Sequence, residues 1–187
     1  MILWMVLNLG SQVLPMIRVL RLGHRAGRDD RISTHVGLTA RQWGADEIVY
    51  SGQHDSSMME SVEDIVDRWG GSFEVSYTEE WKKEIKEFEG LSVHLTMYGE
   101  KINEKIEDIK TEFEEDLLIV VGAEKVPRWA YTEVDYNISV GNQPHSEIAA
   151  LAVFMDRIQD GEIKEGFEDA DIEVEPSEDR KLTEKKD

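Results

Sequence analysis

The sequence of 187 residues contains no cysteine and only four prolines. The lack of cysteine excludes disulfides, thiolate zinc sites, iron–sulfur clusters and cysteine nucleophiles. Basic residues are also scarce, because 21 lysines and arginines face 40 aspartates and glutamates, which gives a formal net charge of −19. This acidity argues against a general nucleic-acid or membrane-surface binder, unless basic residues are concentrated locally. Apolar residues make up 40% of the chain, enough for the core of one folded domain.

Positive charge is concentrated in one segment near the amino terminus. Residues 16–45 hold six arginines, two aspartates and no lysine, for a local charge of +4, whereas residues 160–187 hold twelve acidic and five basic residues. The planar guanidinium of arginine suits phosphate groups. The segment therefore predicts contact with phosphate or RNA, and a solvated arginine-rich surface is the alternative.

The first fifteen residues differ from the rest of the chain, since they carry no charge and are mostly apolar. They are too few to span a bilayer, which takes ~20 residues, and they lack the basic start of a signal peptide. We expect residues 1–15 to be an upstream extension outside the fold. We expect the folded domain to occupy residues 16–160, and residues 161–187 to form an acidic hairpin followed by a disordered tail.

Between residues 16 and 158, strand-like and helix-like patterns alternate. Short apolar strands are predicted at residues 17–22, 46–50, 73–76, 91–96, 117–121 and 136–140. Helices are predicted at residues 34–43, 57–69, 78–88, 101–110 and 145–158. This alternation predicts an α/β domain with a mostly parallel sheet, in which ligands bind beyond the carboxyl ends of the strands.

Several common catalytic motifs are absent. The chain has no P-loop, no G-x-G-x-x-G after the first strand and no G-x-S-x-G nucleophile elbow. The five histidines lack the spacing of metal ligands, so we expect no metal site, and His94 within an apolar strand is expected to be a core residue. A cofactor without phosphate, such as S-adenosylmethionine, fits the remaining kind of site, in which loops at the end of a sheet hold the ligand.

Two loops after predicted strands carry the residues for such a site. Residues 122–127 read GAEKVP, and residues 141–147 read GNQPHSE and open a helix. Glycine allows the backbone to approach a ligand closely, and a helix amino end supplies free N–H groups. The alternative is an ordinary strand-to-helix turn with Asn142 or Ser146 as the helix cap.

Four stretches of the sequence closely resemble the archaeal tRNA cytidine-56 ribose 2′-O-methyltransferase family, which belongs to the SPOUT class of knotted methyltransferases. They are residues 18–45, which include LTARQWGA, residues 93–99, residues 121–127, and residues 135–157, which include GNQPHSE. The resemblance implies a parallel-sheet SPOUT-like α/β fold with a C-terminal trefoil knot. It also implies a cytoplasmic homodimer that uses S-adenosylmethionine to methylate the 2′-hydroxyl of cytidine 56 in the T-loop of tRNA.

The resemblance also assigns roles to individual residues. Arg41 is the expected catalytic residue. Because a guanidinium stays protonated and makes a poor base, its expected role is to bind the phosphate beside the 2′-hydroxyl and to polarise that hydroxyl. The expected RNA-binding residues are His24, Arg25, Arg28 and Arg31. The expected cofactor-binding residues are Leu95, Gly122, Ala123, Glu124, Lys125, Val126, Val140, Gly141, Asn142, Gln143, Pro144, His145, Ser146 and Glu147.

Three alternatives stay open at this stage. A methyltransferase of the same class could act on another RNA nucleotide, because the cofactor loops would be unchanged. A catalytically silent RNA-binding relative would be expected to have damaged cofactor loops, and these loops are intact. A small-nucleotide binding domain is supported only by the predicted fold. The acidic composition is unusual for a tRNA-binding protein and fits a salty cytoplasm, where an acidic surface favours solubility.

Overall fold

The computed structural model describes residues 15–113, 116–122, 125–162 and 164–186. Within these ranges, strands and helices alternate up to residue 158, and two short strands follow. The strands are β1 (Ile17–His24), β2 (Glu47–Gly52), β3 (Glu74–Thr78), β4 (Leu91–Lys101), β5 (Leu117–Gly122), β6 (Tyr136–Ser139), β7 (Ile172–Glu175) and β8 (Leu182–Lys185). The helices are α1 (Asp30–Gln42), α2 (Ser56–Trp69), α3 (Trp81–Lys86), α4 (Ile102–Glu112), α5 (Arg128–Glu133) and α6 (Glu147–Ile158).

Strands β1 to β6 form one sheet in the order β3-β2-β1-β5-β4-β6, and every neighbouring pair is parallel. The predicted α/β architecture with a parallel sheet is therefore confirmed, whereas the trefoil knot stays a prediction. Strands β1 and β5 lie in the middle, and β1 neighbours both β2 and β5. This order places the topological switch point of the sheet between β1 and β5, where open α/β folds commonly bind ligands.

Helices cover both faces of the sheet, which explains why β5 reads as an uninterrupted apolar run. Alternate residues of the strands enter different apolar clusters, so that Val19 packs in the cluster with α1, α2, α4 and α6, and Leu20 in the cluster with α3 and α5. All five residues from 117 to 121 are fully buried. The residue-by-residue alternation along β1 is the period-two geometry of a strand covered on both sides.

Helix α1 begins earlier than predicted. It starts at Asp30, four residues before the predicted start at residue 34. Ser33 lies inside the first turns, where its hydroxyl shares a 2.8 Å hydrogen bond with Nδ1 of His24. The hydroxyl of Thr34 donates to the carbonyl of Asp30, as threonines within helices often do.

The interior position of His94 on β4 is confirmed, because the side chain is buried. Its Nδ1 lies 2.9 Å from Oδ1 of Asn137, and Nδ2 of Asn137 donates to the carbonyl of Tyr131. The Asn137 oxygen is therefore the acceptor and Nδ1 of His94 carries the hydrogen. Burial lowers the pKa of His94, and the hydrogen bond to Asn137 opposes that effect only in part, so the ring is a neutral core group.

The chain after α6 returns to the amino end of the sheet before it forms the β7–β8 pair. Phe167 lies beside Gly71, and the N–H of Gly71 donates to the carbonyl of Glu168. Strands β7 and β8 are antiparallel. Residues 1–14 lie outside the described ranges, and the division of the chain into an extension, a domain and a tail stays a prediction. Among the described residues, no helix is long and apolar enough to cross a membrane.

Candidate functional site at the carboxyl edge of the sheet

The two loops predicted to bind the cofactor begin beside each other at the carboxyl edge of the sheet. Leu95 on β4 pairs with Val121 on β5 and with Ile138 on β6. Loop 122–127 therefore leaves the sheet on one side of β4, and loop 140–146 leaves it on the other. Leu95 is buried between the two strands, as expected for a residue that forms the floor of a site between these loops.

Loop 140–146 is attached to the part of β4 where the pairing of this strand with β6 is interrupted. The register between β4 and β6 breaks after Leu95 and resumes at Glu100. The side-chain amide of Asn142 donates to the carbonyl of Met97 at 2.8 Å, which fixes the loop against this segment. The ring nitrogens of His145 lie 3.1 Å from the carbonyls of Gly141 and Ser146, so this ring closes the loop on itself. Val140, Gln143 and Pro144 lie in the same loop, and Gln143 and Pro144 are exposed.

Helix α6 begins directly after this loop, and of the two cap residues named in the alternative interpretation of the loop, Asn142 and Ser146, it is Ser146 that caps the helix. Its hydroxyl accepts a hydrogen bond from the N–H of Ala149. Glu147, the first residue of the helix, accepts a 2.9 Å hydrogen bond from Nη2 of Arg21. Arg21 is almost fully buried, and its Nη1 donates to the carbonyl of Leu22. Burial lowers the pKa of Arg21, while the charge of Glu147 acts in the opposite direction.

Loop 122–127 is described except for Ala123 and Glu124, whose predicted roles therefore lie outside the described residues. Gly122 has no room for a side chain, because a Cβ there would collide with Cγ2 of Val126. Val126 folds back over the end of β5, and Lys125 is exposed. The close approach of Val126 explains why glycine is needed at position 122.

A cavity of about 690 Å³ lies beside loop 122–127, beyond the ends of β1, β2, β3 and β5. It shares Lys125 and Val126 with the predicted cofactor residues, and its described lining has no residue from loop 140–146. Its polar and aromatic lining includes Arg25, Tyr77, Glu79, Trp81 and Lys125. The carboxyl edge thus has two neighbouring regions, the cofactor loops around β4 and this cavity beyond β1 to β3, and loop 122–127 separates them.

The predicted RNA-binding residues follow β1 at the same edge. Arg25 donates to both carboxylate oxygens of Asp29, at 2.8 and 3.1 Å, and this bond lowers the pKa of Asp29. Arg28 and Arg31 are exposed. The basic segment therefore faces solvent beside the cavity, where a polyanion has access to it.

His24 is the exception among the predicted RNA-binding residues, because it is buried. Besides its bond to Ser33, its Nε2 lies 3.5 Å from a carboxylate oxygen of Asp55 and 4.0 Å from one of Asp30. One ligand atom from each of these three residues lies within 4.8 Å of the others. Asp55 also caps α2 by accepting a hydrogen bond from the N–H of Met58. Its position near His24 and Asp30 therefore has a structural reason without a metal ion. The expectation of no metal stays a prediction.

Arg41, the predicted catalytic residue, lies at the opposite edge of the sheet. Its Nη2 donates to the carbonyls of Trp69 and Gly70 at 2.9 and 2.6 Å, where α2 ends. Its guanidinium also stacks over the ring of Phe167 at 3.9 Å. Helix α1 runs from the carboxyl edge back to the amino edge, so its last turn is distant from the cofactor loops. The structure therefore does not bring Arg41 together with the other predicted site residues of its chain.

Sequence reasoning missed Arg21, Tyr77, Glu79 and Trp81. Arg21 sits among apolar strand residues, and an arginine in such a run is itself a signal, because a buried guanidinium needs a partner. The other three lie where β3 ends and α3 begins, another loop at the carboxyl edge. That position is the available signal, since ligand sites in parallel sheets are built from these loops.

Comparison with known proteins gives a consistent result. Residues 69–184 match the family described as tRNA ribose 2′-O-methyltransferase, aTrm56. The chain is 55% identical over 168 residues to the tRNA (cytidine(56)-2′-O)-methyltransferase of Thermococcus kodakarensis, with 87% of this chain and 93% of that protein covered. It is 52% identical over 171 residues to the protein of the same name from Methanocaldococcus jannaschii, with 89% and 95% covered.

Solved structures support the same fold. The SpoU methyltransferase AviRb from Streptomyces viridochromogenes, crystallised with AdoMet, superposes with a TM-score of 0.52 at 13% identity. The match covers 79% of this chain and 58% of that one. At this level of identity the likeness concerns the fold, and it confirms the expected SPOUT-like arrangement of the sheet.

Proposed function

Because the chain belongs to the family of tRNA ribose 2′-O-methyltransferases, aTrm56, we propose that it transfers a methyl group from S-adenosylmethionine to the 2′-hydroxyl of cytidine 56 in the T-loop of tRNA. The observation that carries this proposal is the meeting of both cofactor loops and the exposed arginines at one edge of the sheet. A shared edge allows a methyl donor and a polyanionic acceptor to approach each other within one chain.

The residues at this edge fit S-adenosylmethionine. That cofactor carries no phosphate, and the chain offers no phosphate-binding loop there. It offers the backbone of loops 122–127 and 140–146, the close packing of Gly122 under Val126, and the amino end of the twelve-residue α6. The backbone of these loops would hold the adenosine, with Leu95 beneath it. The amino end of α6 suits the carboxylate of the methionine part. When bound, the cofactor supplies a methyl group on a sulfonium, which is a good leaving group.

The protein's part in the reaction is positioning. Arg25, Arg28 and Arg31 bind phosphates of the RNA backbone and so fix the ribose near the cofactor loops. The 2′-hydroxyl proton leaves to the neighbouring phosphate or to water. Arg21 holds the first turn of α6 against β1, so the loop before α6 keeps its position while RNA binds. Arg41 has no part in this mechanism within its own chain, because its contacts lie at the far edge.

We further propose a homodimer acting in the cytoplasm. Helices α1 and α6 pack against each other, and each exposes an apolar side chain to solvent: Ile32 at 40% and Val153 at 39%. Leu151 of α6 is fully buried in the core and is unavailable for such an interface. If α1 and α6 form the interface, Val153→Glu will shift the mass measured by light scattering from dimer to monomer, and an unchanged dimer will exclude this surface.

One experiment tests the proposed reaction. Purified protein is incubated with an unmodified tRNA transcript and S-adenosylmethionine labelled in the methyl group, and the label is then located by nuclease mapping. We expect label on the ribose of cytidine 56 and none on a transcript carrying a 2′-deoxy residue there. Label on another nucleotide would favour the alternative RNA substrate. An absence of calorimetric heat with S-adenosylmethionine would favour a silent RNA-binding relative.

A further inference from the structure

The cavity beyond β1, β2, β3 and β5 is not used by the cofactor loops. It adjoins them, because Lys125 and Val126 belong to both regions. Its volume of about 690 Å³ falls within the range of small-molecule sites, ~300–1,000 Å³. A group placed in this cavity would lie beside Lys125 and Val126, at the switch point of the sheet, where open α/β folds commonly bind ligands.

Two aromatic side chains of the lining are fixed by neighbours. The hydroxyl of Tyr77 donates to the carbonyl of Gly52 at 2.8 Å, and His54 packs edge-on against the ring. Trp81 packs edge-on against Trp129, with 5.5 Å between the ring centroids. Rigid aromatic rings beside a cavity are the common means of holding an unstacked nucleic-acid base, and they lose little conformational entropy on binding.

The charged lining residues indicate which kind of base fits. Arg25 and Lys125 supply positive charge for a phosphate or ribose at the mouth. Glu79 is exposed, and within the described part of the chain its carboxylate makes no hydrogen bond or ion pair. A carboxylate accepts hydrogen bonds and cannot donate them, so it favours a base with an amino group over one with a carbonyl at that position. Among pyrimidines, cytosine carries that amino group and uracil carries the carbonyl.

We propose that this cavity receives the base of the nucleotide to be methylated, turned out of the tRNA, and that Glu79 accepts a hydrogen bond from the cytosine amino group. Trp81 and Tyr77 hold the base, and Arg25 and Lys125 hold its backbone. This inference rests on the proposed methyl transfer and adds the determinant that selects cytidine over uridine.

The decisive variant is Glu79→Gln, because glutamine both accepts and donates and therefore tolerates either base. The measurement is kcat/KM for methyl transfer to two tRNA transcripts that differ only in cytidine or uridine at the target position. We expect the preference of the wild type for cytidine to fall about tenfold or more in Glu79→Gln. Glu80→Gln is the matched control, because Glu80 is adjacent, equally exposed and outside the cavity lining. An unchanged preference in Glu79→Gln overturns the role of Glu79.

A second pair of variants tests the cavity itself. Trp81→Ala removes the aromatic surface. Trp81→Phe keeps part of it and is expected to fold, so it controls for a loss of activity caused by misfolding. We expect KM for tRNA to rise several-fold in Trp81→Ala and less in Trp81→Phe, with the calorimetric affinity for S-adenosylmethionine unchanged in both. A loss of cofactor affinity with unchanged KM for tRNA would instead make the cavity a cofactor site. A wild type that methylates no tRNA would refute the proposed function, an outcome distinct from these.

Discussion

The guanidinium of Arg21, near the carboxyl end of β1, donates a 2.9 Å hydrogen bond to the carboxylate of Glu147 in the first turn of α6. Arg21 lies on β1, which precedes Arg25, Arg28 and Arg31. Glu147 begins α6, which follows loop 140–146, so the pair joins these two elements. Arg21 is 1% exposed, so its charge has little access to water. The pair therefore connects the RNA side and the cofactor side of the site through one ionic contact.

Removal of one partner of this pair is expected to destabilise the protein. Glu147→Ala leaves a buried guanidinium without its counter-charge, so we expect a loss of about 2–3 kcal/mol in the free energy of unfolding. Glu147→Gln keeps an acceptor and should lose less. Glu104→Ala is the control, because Glu104 pairs with Lys101 in solvent and such pairs contribute about 1 kcal/mol or less. Denaturant titrations measure all three, and equal losses in Glu147→Ala and the control would contradict the importance of the pair.

Arg41→Lys is expected to lower stability and to leave methyl transfer per folded molecule within about twofold of the wild type. Arg41 donates to two carbonyls and at the same time stacks its guanidinium on Phe167. Lysine has no planar group, so it cannot do both. Thermal unfolding and single-turnover transfer should be measured on the same preparation. Arg157→Lys, in the exposed last turn of α6, is the control. A variant that melts like the wild type and yet fails to transfer methyl would return Arg41 to the catalytic machinery.

Asp55 gives the stability of α2 a dependence on pH. Its carboxylate accepts the N–H of Met58, which is the main cause of its lowered pKa, and His24 adds to the effect. A lowered folded-state pKa means that the stabilisation is fully present above the ordinary aspartate pKa of about 3.9 and is lost as pH falls through the folded-state value.

The test of this dependence is Asp55→Ala. We expect it to cost about 1 kcal/mol at neutral pH, and we expect its deficit relative to the wild type to shrink steadily below about pH 4. Urea unfolding from pH 7 down to pH 3 follows both proteins. Asp67→Ala, an exposed aspartate later in α2, serves as the comparison. A deficit that stays constant over the whole range would mean that the carboxylate charge does not matter.

Arg31→Ala is expected to weaken tRNA binding and to reduce its dependence on salt. Arg31 is exposed in the first turns of α1, and a phosphate contact made by it releases about one counterion. The slope of log Kd against log salt should therefore become shallower by about 1. Filter binding from 50 to 300 mM KCl measures the slope, with Arg157→Ala as the control. An unchanged slope would place Arg31 outside the RNA contact.

The regular part of the fold could be predicted because its signals are local. The apolar run at residues 117–121 indicated a central strand, and the pattern of α6 with Ser146 before it indicated a capped helix, both of which the structure shows. Helix α5 was not predicted, because its six residues are too few to show a helical periodicity, and the equally short α3 was predicted only as the longer segment 78–88. The start of α1 was misplaced: the helix begins at Asp30, and Ser33 lies inside it with its hydroxyl bonded to His24, nine residues earlier in the chain.

Candidate site residues could be predicted only where a loop with polar residues or glycine comes directly after a predicted strand. The shared edge of loops 122–127 and 140–146 could be predicted because parallel strands end at one edge, and the register of Leu95 with both neighbouring strands shows this placement; their binding of the cofactor stays a prediction. The place of Arg41 could not be predicted, because its position along the sequence says nothing about which end of α1 faces the loops, and its catalytic role stays a prediction. The cavity residues Glu79 and Trp81 were missed because β3 lies at the edge of the sheet, and only the structure shows that residues after β3 and residues after β5 line one cavity.

Strands β1 and β5 are paired residue by residue up to Leu22 and Gly122, where the cavity and the cofactor loops begin. The cavity and the cofactor loops, which together form the proposed reaction centre, therefore begin at the ends of strands that belong to one continuous hydrogen-bonded sheet. Relative movement of donor and acceptor is therefore left to the loops beyond the paired residues and to the nucleic acid itself. A tRNA whose T-loop is loosened is then expected to be the faster substrate.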